Sequence, residues 1–384
     1  MAEPGGNATA ATATAVSMES SLLSPWRPWM QRALQLAALG RGRTSPNPLV
    51  GAVVLDAAGA LVGEGYHERA GAPHAEVGAL RQAGERARGG TLVVTLEPCC
   101  HHGRTPPCSE AVIAAGVRRV VLAMQDPNPL VAGGGIARLR AAGLEVIAGV
   151  AEGEAQALNA AFRHRLATGR PLGILKWAMS LDGRTALPNG ASQWISGPPA
   201  RARVHGLRAE CDAVIVGGGT LRQDDPLLTS RGRRCPEPLR VVLSRRLELP
   251  PAARLWDTTA APTLVAHGPE ASAEGRAALE ALGVERLELA ACEPAALLEA
   301  LAARGCNQVL WECGPELAAA ALRQGGVQRI VAVIAPKLLG GIAARTALGD
   351  LGLTSLAQAP PWQGSAPERL GDDWLWPLEA PPTP

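Results

Sequence analysis

Aromatic residues other than tryptophan are almost absent from this sequence: its 384 residues include one Tyr and one Phe beside nine Trp. Proteins that bind single-stranded nucleic acid combine a basic groove with aromatic side chains on which the bases stack. The formal net charge is only +2, so the composition does not indicate a basic groove either. We therefore expect no nucleic-acid partner.

Long apolar runs and targeting signals are also lacking. No stretch of 18 or more apolar residues occurs, so no membrane span is expected. Residues 1–24 are rich in Ala, Thr, Ser and Gly and contain no Lys or Arg. A transit peptide would be rich in arginine, and a segment of this composition cannot bury a core. We predict that 1–24 is a disordered tail.

The eight cysteines cluster at one place only. Three of them lie at 99, 100 and 108, and the others are isolated at 211, 235, 292, 306 and 313. Without a secretory signal, this distribution is typical of reduced thiols rather than of a disulfide framework. The sequence therefore predicts a cytoplasmic protein with a metal site at the cysteine cluster.

The cysteine cluster and an upstream histidine contain the parts of a zinc site that activates water. Such a site needs about three protein ligands and one open coordination position. His74 and the two separated cysteines Cys99 and Cys108 meet that need, with Cys100 as a neighbour. Glu76 lies two residues after the histidine, as does the glutamate that acts as general acid and base in zinc deaminases. The pattern predicts one Zn²⁺ held by His74, Cys99 and Cys108, with Glu76 as the catalytic residue.

One alternative is a closed structural zinc site. Such a site uses four protein ligands, and the fourth could come from Cys100, His101 or His102. In a closed site, Glu76 would have no catalytic role. Cys108 also precedes a predicted helix, whose N-terminus would lower the pKa of its thiol and so favours it as a ligand.

The whole segment resembles the deaminase half of the bacterial bifunctional riboflavin biosynthesis deaminase/reductases, whose motif is H-A-E followed by P-C-x-H-x-G-[KR]-T-P-P-C. The resemblance implies a cytidine-deaminase-like α/β/α domain at the N-terminal end. It extends to P-N-P-x-V-G-A around Asn47, to the segment before His74, and to Asp-Pro-Asn-Pro at 126–129. It implies these deaminase substrate contacts: Asn47, His67, Asp126 and Asn128, with Arg104 at the substrate phosphate.

A second set of motifs begins after the segment Thr-Gly-Arg-Pro at 168–171. Residues 172–184 match K-x-A-x-S-L-D-G-[KR], the opening of the family's reductase domain, which is itself similar to dihydrofolate reductase. The resemblance therefore implies a C-terminal α/β domain of that type. We predict a zinc-dependent deaminase domain at 25–168 and an NADPH-dependent reductase domain at 169–384.

Two glycine-containing strand ends are the expected cofactor site. Gly-Gly-Gly-Thr at 217–220 ends an apolar strand, where backbone amides can approach a phosphate closely. The fingerprint G-x-G-x-x-G is absent, so a standard Rossmann domain is not supported. The segment 312–317 follows the next suitable strand and resembles the family's second cofactor loop, with Cys313 where many relatives carry a small residue.

The resemblance also implies the residues of the reductase site. The substrate contacts are Ser192, Arg208, Leu228, Arg231 and Glu312. The cofactor contacts are Ala178, Trp194, Thr220, Asp224, Ser244, Gly314, Pro315, Glu316 and Leu317. Arg245 and Arg246 follow Ser244, and their charge suggests a contact with the 2′-phosphate that distinguishes NADPH from NADH.

The implied function is bifunctional. The enzyme would deaminate 2,5-diamino-6-(5-phosphoribosylamino)pyrimidin-4-one and then reduce the ribose of the product to a ribityl chain with NADPH. Three other interpretations remain: a nucleic-acid deaminase with an accessory domain, a non-catalytic zinc-stabilised binding protein, and an enzyme in which only one half is active. The family also implies a homo-oligomer that associates through the reductase domain.

Hydrophobic patterns predict the secondary structure that carries these motifs. Helices are expected at 29–39 and 154–166, and strands at 50–55, 91–96, 240–243 and 308–311. Beyond residue 355 the chain is rich in Pro and Trp, and only 374–376 is predicted as a closing strand.

Overall fold

The computed structural model describes residues 23–101, 106–129 and 131–381. Residues 1–22 of the predicted tail lie outside this part of the chain, as do Arg104 and its neighbours at 102–105. The chain divides into two compact units, Met1–Leu166 and Ala167–Pro384. Within the described residues, no helix is both long enough and apolar enough to cross a membrane.

The first unit is built on one five-stranded sheet. Its strands are β1 (Gly51–Leu55), β2 (Leu61–Tyr66), β3 (Thr91–Leu96), β4 (Arg119–Met124) and β5 (Glu145–Ala148), in the order β2-β1-β3-β4-β5. Its helices are α1 (Arg27–Ala38), α2 (Ala75–Ala83), α3 (Cys108–Ala114), α4 (Gly134–Ala141), α5 (Glu152–Leu158) and α6 (Ala160–Thr168). β1 pairs antiparallel with β2 and β3, whereas β3, β4 and β5 are parallel.

Successive residues of a strand point to opposite faces of the sheet, and both faces of this sheet are buried in a core. Val53 and Val93 pack with Met30 of α1 in one core. Val54 and Val94 pack with residues of α2 in a second core on the other face. The unit is therefore the α/β/α sandwich that the sequence predicts.

Helix α2 lies unusually close to β2, and glycine makes this possible. A Cβ added at Gly63 would lie 2.2 Å from the carbonyl oxygen of Ala79, and one at Gly65 would lie 2.4 Å from that of Ala75. Any larger residue would push the helix away from the strand. The approach sets the position of the N-terminus of α2, where His74 and Glu76 lie.

The second unit contains a ten-stranded sheet. Its strands are β6 (Leu172–Ser180), β7 (Ala213–Gly217), β8 (Leu239–Leu243), β9 (Thr263–His267), β10 (Glu285–Glu288), β11 (Gln308–Trp311), β12 (Arg329–Ala335), β13 (Gln363–Gly364), β14 (Glu368–Leu370) and β15 (Asp373–Glu379). Its helices are α7 (Pro198–Glu210), α8 (Gly218–Asp224), α9 (Ala273–Ala281), α10 (Pro294–Ala303) and α11 (Pro315–Arg323). The order is β10-β9-β8-β7-β11-β6-β12-β15-β13, with β14 paired to β15.

The first seven strands in this order, β10-β9-β8-β7-β11-β6-β12, are parallel. Strands β7, β11 and β6 are consecutive in the order. The loops that follow them therefore meet at one edge, where open α/β sheets bind ligands. The loops and helices that follow these strands carry most of the residues that the sequence predicts for the reductase site.

Two details of the secondary structure differ from the prediction. The single helix expected at 154–166 is two helices, α5 and α6, because Asn159 between them turns its side chain to the backbone N and O of Leu49, at 2.8 and 2.9 Å. Beyond residue 355, β13 and β14 pair with β15, which is longer than the predicted 374–376. Neither short strand has enough length for a pattern to be recognised.

Candidate active sites

The predicted zinc ligands converge at the edge of the first sheet. His74 precedes α2, Cys99 follows β3, and Cys108 is the first residue of α3. His74 Nδ1 lies 3.1 Å from Cys108 Sγ and 3.8 Å from Cys99 Sγ. All three ligand atoms lie within 4.8 Å of one another. One imidazole and two thiols at these distances suit a single zinc ion.

Glu76 completes this arrangement. Its side chain is only 3% exposed, and its Oε2 has no hydrogen-bond partner among the described residues. A buried carboxylate oxygen without a partner is costly unless a ligand or water meets it. The side chain of Cys100 packs against Gly134: a Cβ added at Gly134 would lie 2.7 Å from Cys100 Sγ. Among the described residues, the metal-binding group is His74, Cys99 and Cys108, and three ligands of this kind fit an open zinc site.

The ionisable groups of the cluster influence one another strongly. The Cys108 thiol beside Cys99 lowers the pKa of Cys99 to about 4. Contact with Cys99 raises the pKa of His74, and burial raises the pKa of Glu76. An ionised thiol is the form that binds a metal.

A cavity of about 490 Å³ opens beside the cluster. The predicted deaminase residues that line it are Asn47, His67, His74, Glu76, Cys99, Asp126 and Asn128. Cys108 lies behind them, 1% exposed. Arg104, the predicted phosphate contact, is outside the part of the chain that the structure describes.

Asn47 and His67 hold each other in a defined orientation. His67 Nδ1 lies 3.2 Å from the carbonyl oxygen of Pro73, which can only accept, so Nδ1 carries the proton. Burial lowers the pKa of His67, which keeps the ring neutral. Nε2 then accepts a hydrogen bond of 3.0 Å from the amide nitrogen of Asn47. Both side chains are thereby oriented before any substrate binds.

Glu97 is a residue of this site that sequence reasoning missed. It is 2% exposed, and its carboxylate accepts hydrogen bonds from the backbone amides of Asp126, Gly133 and Ile136, at 3.2, 3.0 and 3.0 Å. These bonds hold the loop after β4, which carries Asp126 and Asn128. Its only signal in the sequence is its place between a buried strand and Cys99.

We expect Glu97→Gln to loosen that loop. The glutamine NH₂ group would face a backbone N–H donor, so at least one buried hydrogen bond would be lost, at a cost of about 2 kcal/mol. Thermal unfolding should show the loss of stability, and KM for deamination should rise. Glu145→Gln, at an exposed partner of Arg119, is the matched control. An unchanged KM would show that Glu97 does not position this loop.

The second unit has a cleft at the carboxyl ends of β7, β11 and β6. Gly217 precedes α8 and Gly314 precedes α11, and β7 and β11 are neighbours. A Cβ on Gly314 would meet only Thr220 Oγ1, at 3.7 Å. The two glycine turns thus begin their helices at the ends of neighbouring strands. This arrangement fits the phosphates of a dinucleotide cofactor.

Two adjoining cavities of about 520 and 450 Å³ fill this cleft. Together they are lined by the following predicted residues: Ala178, Ser192, Trp194, Arg208, Thr220, Asp224, Leu228, Arg231, Glu312, Gly314, Pro315, Glu316 and Leu317. Ser244 is not among the lining residues. It is 9% exposed and lies beside Gly218 at the start of α8.

Glu312 is the centre of a buried charge cluster in the cleft. Its Oε1 accepts from Arg208 Nε at 2.5 Å, and its Oε2 accepts from Arg208 Nη2 at 3.0 Å. Lys176 Nζ is 3.7 Å from Oε2. Burial would raise the pKa of Glu312, but the two cations outweigh it and hold that pKa at about 2. Lys176 was not predicted as a site residue, although it opens the K-x-A-x-S-L-D-G motif.

Comparison with known proteins agrees with both units. The family model for the cytidine and deoxycytidylate deaminase zinc-binding region matches residues 25–124, and the RibD C-terminal domain matches residues 171–375. The riboflavin biosynthesis protein RibD of Synechocystis is 50% identical over 347 residues, which is 90% of this chain and 94% of that protein. RibD of Escherichia coli is 44% identical over 358 residues, with 90% and 96% covered.

Solved structures agree as well. RibD of Acinetobacter baumannii superposes with a TM-score of 0.85 at 41% identity, covering 94% of this chain and 99% of that one. A Thermotoga maritima deaminase/reductase superposes with a TM-score of 0.84 at 34% identity, with the same coverage.

The fold and the two sites thus define a bifunctional enzyme, with a zinc-binding deaminase domain followed by an NADPH-dependent reductase domain. The chain belongs to the RibD family of riboflavin biosynthesis proteins. The predicted family, fold class, enzyme class and cofactors are confirmed, and the small-molecule substrate class agrees with them.

Proposed function

We propose that this chain deaminates 2,5-diamino-6-(5-phosphoribosylamino)pyrimidin-4(3H)-one and then reduces the ribosyl group of the resulting 5-amino-6-(5-phosphoribosylamino)uracil to a ribityl group. The solved Thermotoga maritima relative is named as a diaminohydroxyphosphoribosylaminopyrimidine deaminase and 5-amino-6-(5-phosphoribosylamino)uracil reductase. The observation that carries the proposal is the buried Oε2 of Glu76 beside His74, Cys99 and Cys108, which has no hydrogen-bond partner within the part of the chain that the structure describes.

In the deaminase domain, His74, Cys99 and Cys108 would hold the zinc ion. Zinc, when bound, acts as a Lewis acid that makes water a nucleophile at neutral pH. Glu76 would take a proton from the attacking water and return one to the departing amino group. The substrate would be held by Asn47, His67, Asp126 and Asn128, and its phosphate by Arg104.

In the reductase domain, the protein has to position the substrate, because the hydride comes from NADPH. Glu312 is held by Arg208 and Lys176 in the wall of the cleft, where a carboxylate can bind sugar hydroxyls. Burial lowers the pKa of Lys176, which suits an amine that gives up a proton when the ribose ring opens. Ser192, Leu228 and Arg231 line the same cavity.

We propose cofactor contacts for the glycine turns and the residues around them. The residues assigned to this role are Ala178, Trp194, Thr220, Asp224, Ser244 and the segment Gly314, Pro315, Glu316 and Leu317. Ser192 Oγ donates to Asp224 Oδ1 at 2.8 Å. This bond links the substrate and cofactor sides of the cleft.

Arg245 and Arg246 are proposed to favour NADPH. Both side chains are exposed and follow β8, the neighbour of β7. We expect the double variant Arg245→Ala and Arg246→Ala to raise KM for NADPH by about tenfold, the value of a lost charge-assisted contact, and to leave KM for NADH unchanged. Steady-state kinetics with both cofactors would measure this. Arg304→Ala serves as control, and an unchanged NADPH/NADH ratio would contradict the assignment.

An assay with separate readouts tests the proposed function. Purified protein is given the diaminopyrimidinone substrate, and ammonia release and NADPH oxidation are followed independently. We expect ammonia first, and NADPH oxidation that depends on it. NADPH oxidation of the deaminated compound without any ammonia release would indicate a monofunctional reductase. No signal in either channel would mean that the substrate assignment is wrong.

Two further proposals concern the state of the protein. We propose a homo-oligomer that associates through the reductase domain, and a cytoplasmic location. Exposed apolar side chains of that domain support the first: Leu338, Ile342, Leu356, Trp374 and Trp376. We expect light scattering on the full chain to show a mass of at least twice the 39.6 kDa of one chain. A mass of one chain would contradict the homo-oligomer.

A further inference from the structure

The cavity of about 450 Å³ in the reductase domain is strongly cationic. The charged side chains that line it are Lys176, Arg201, Arg208, Arg231 and Arg254 against Asp224 and Glu312. Several of the cations are already engaged. Arg208 binds Glu312 and the carbonyl oxygen of Thr229, and Arg201 lies over the ring of Trp194 at 4.6 Å. Positive charge remains in excess, as an anionic ligand requires.

One titratable residue in this lining has no role so far. His205 lies on α7, four residues after Arg201 and three before Arg208, so the three side chains share one face of the helix. Its ring lines the cavity, and its Nδ1 is buried without a hydrogen-bond partner among the described residues. With Nδ1 enclosed, Nε2 is the nitrogen that a bound group can reach.

Building on the proposed reductase substrate, we infer that His205 is a phosphate-binding residue of this cavity that takes up a proton when a phosphorylated sugar binds. A phosphate dianion offers acceptors for several N–H donors and adds two negative charges. His205 is placed to be one of those donors beside Arg208 and Arg231.

The charges around the ring decide its protonation. Burial lowers the pKa of His205, and the cations Arg208, Arg231 and Arg233 lower it further, whereas Glu312 opposes them. The ring is therefore neutral at neutral pH in the free enzyme. A bound phosphate dianion outweighs the positive charges around the ring and raises the pKa of His205. Binding should then consume protons, and affinity should fall as the pH rises from about 7 to 8.5, where the phosphate itself stays dianionic.

Calorimetry on the full chain tests this inference. Ribose 5-phosphate is titrated at pH 7 in buffers of different ionisation enthalpy, which reports protons taken up on binding. We expect the wild type to take up a fraction of a proton. His205→Gln should bind about tenfold more weakly, the loss of one charge-assisted hydrogen bond, and should take up none. His205→Lys, which carries a fixed charge, should keep its affinity up to pH 8.5 without proton uptake.

The outcomes separate this inference from the proposed function. Equal proton uptake and affinity in the wild type and in His205→Gln would overturn the role of His205 and leave the substrate assignment intact. A wild-type protein that binds neither ribose 5-phosphate nor inorganic phosphate would overturn the phosphate site itself, and with it the proposed reductase substrate. His164→Gln, in the deaminase domain, is the matched control and should behave as the wild type.

Discussion

Glu76→Gln is expected to lower kcat for deamination by about 10³-fold, because an amide of the same shape can neither accept nor return a proton. The substitution leaves His74, Cys99 and Cys108 in place, so zinc content should be unchanged. Ammonia release from the diaminopyrimidinone substrate measures the loss. Reduction of the deaminated compound supplied directly should proceed at the wild-type rate.

The control for this prediction is Glu85→Gln, at a carboxylate that is 91% exposed and pairs with Arg88. It should deaminate normally. Loss of zinc or of the thermal transition in Glu76→Gln would show that the residue supports the fold. Full deamination activity would remove Glu76 from the mechanism.

Glu312→Gln should strongly impair reduction and destabilise the reductase domain. Glu312 compensates the buried charges of Arg208 and Lys176. Removing one partner of a buried ion pair costs about 3–5 kcal/mol, since the remaining charges stay uncompensated. The displaced Arg208 should lower kcat/KM for reduction by at least about 10²-fold, as misplaced binding groups do. NADPH oxidation and urea unfolding at pH 7 measure the two effects.

The pH dependence of unfolding shows whether the lost charge causes the destabilisation of Glu312→Gln. The pKa of Glu312 is about 2 in the folded protein against 4.5 for an ordinary glutamate. Its stabilisation is therefore fully present above about pH 5 and is lost progressively as the pH falls toward 2. The stability gap between wild type and variant should narrow over this range. Glu299→Gln, at an exposed partner of Arg170, should show no gap. A constant gap would mean that shape rather than charge is responsible.

Much of the deaminase site could be predicted because its parts are close together in the chain. His74 and Glu76 share one helix start, and Cys99 and Cys108 are nine positions apart. Local patterns therefore indicated both the ligands and the element that carries each of them. The structure brings the three ligand atoms within 4.8 Å of one another, as a common zinc site requires.

Other residues could not be recognised in this way. The carboxylate of Glu97 binds amides 29 to 39 positions further along, and the pair of Arg208 and Glu312 spans 104 positions. His205 is an ordinary helix residue in the sequence. The role proposed for His205 depends on Arg231 and Glu312, which other loops bring to the same cavity.

The sequence alone predicted the chemistry of the two domains: the candidate metal donors, the proposed catalytic carboxylate, the glycine turns and the family. These depend on residue type and short spacing, which local backbone geometry translates directly into structure. Only the tertiary structure decided which charges are buried together and which polar atoms lack partners. Those properties depend on sheet order, since adjacent strand ends bring distant loops into contact, and burial then sets the strength of every charge interaction.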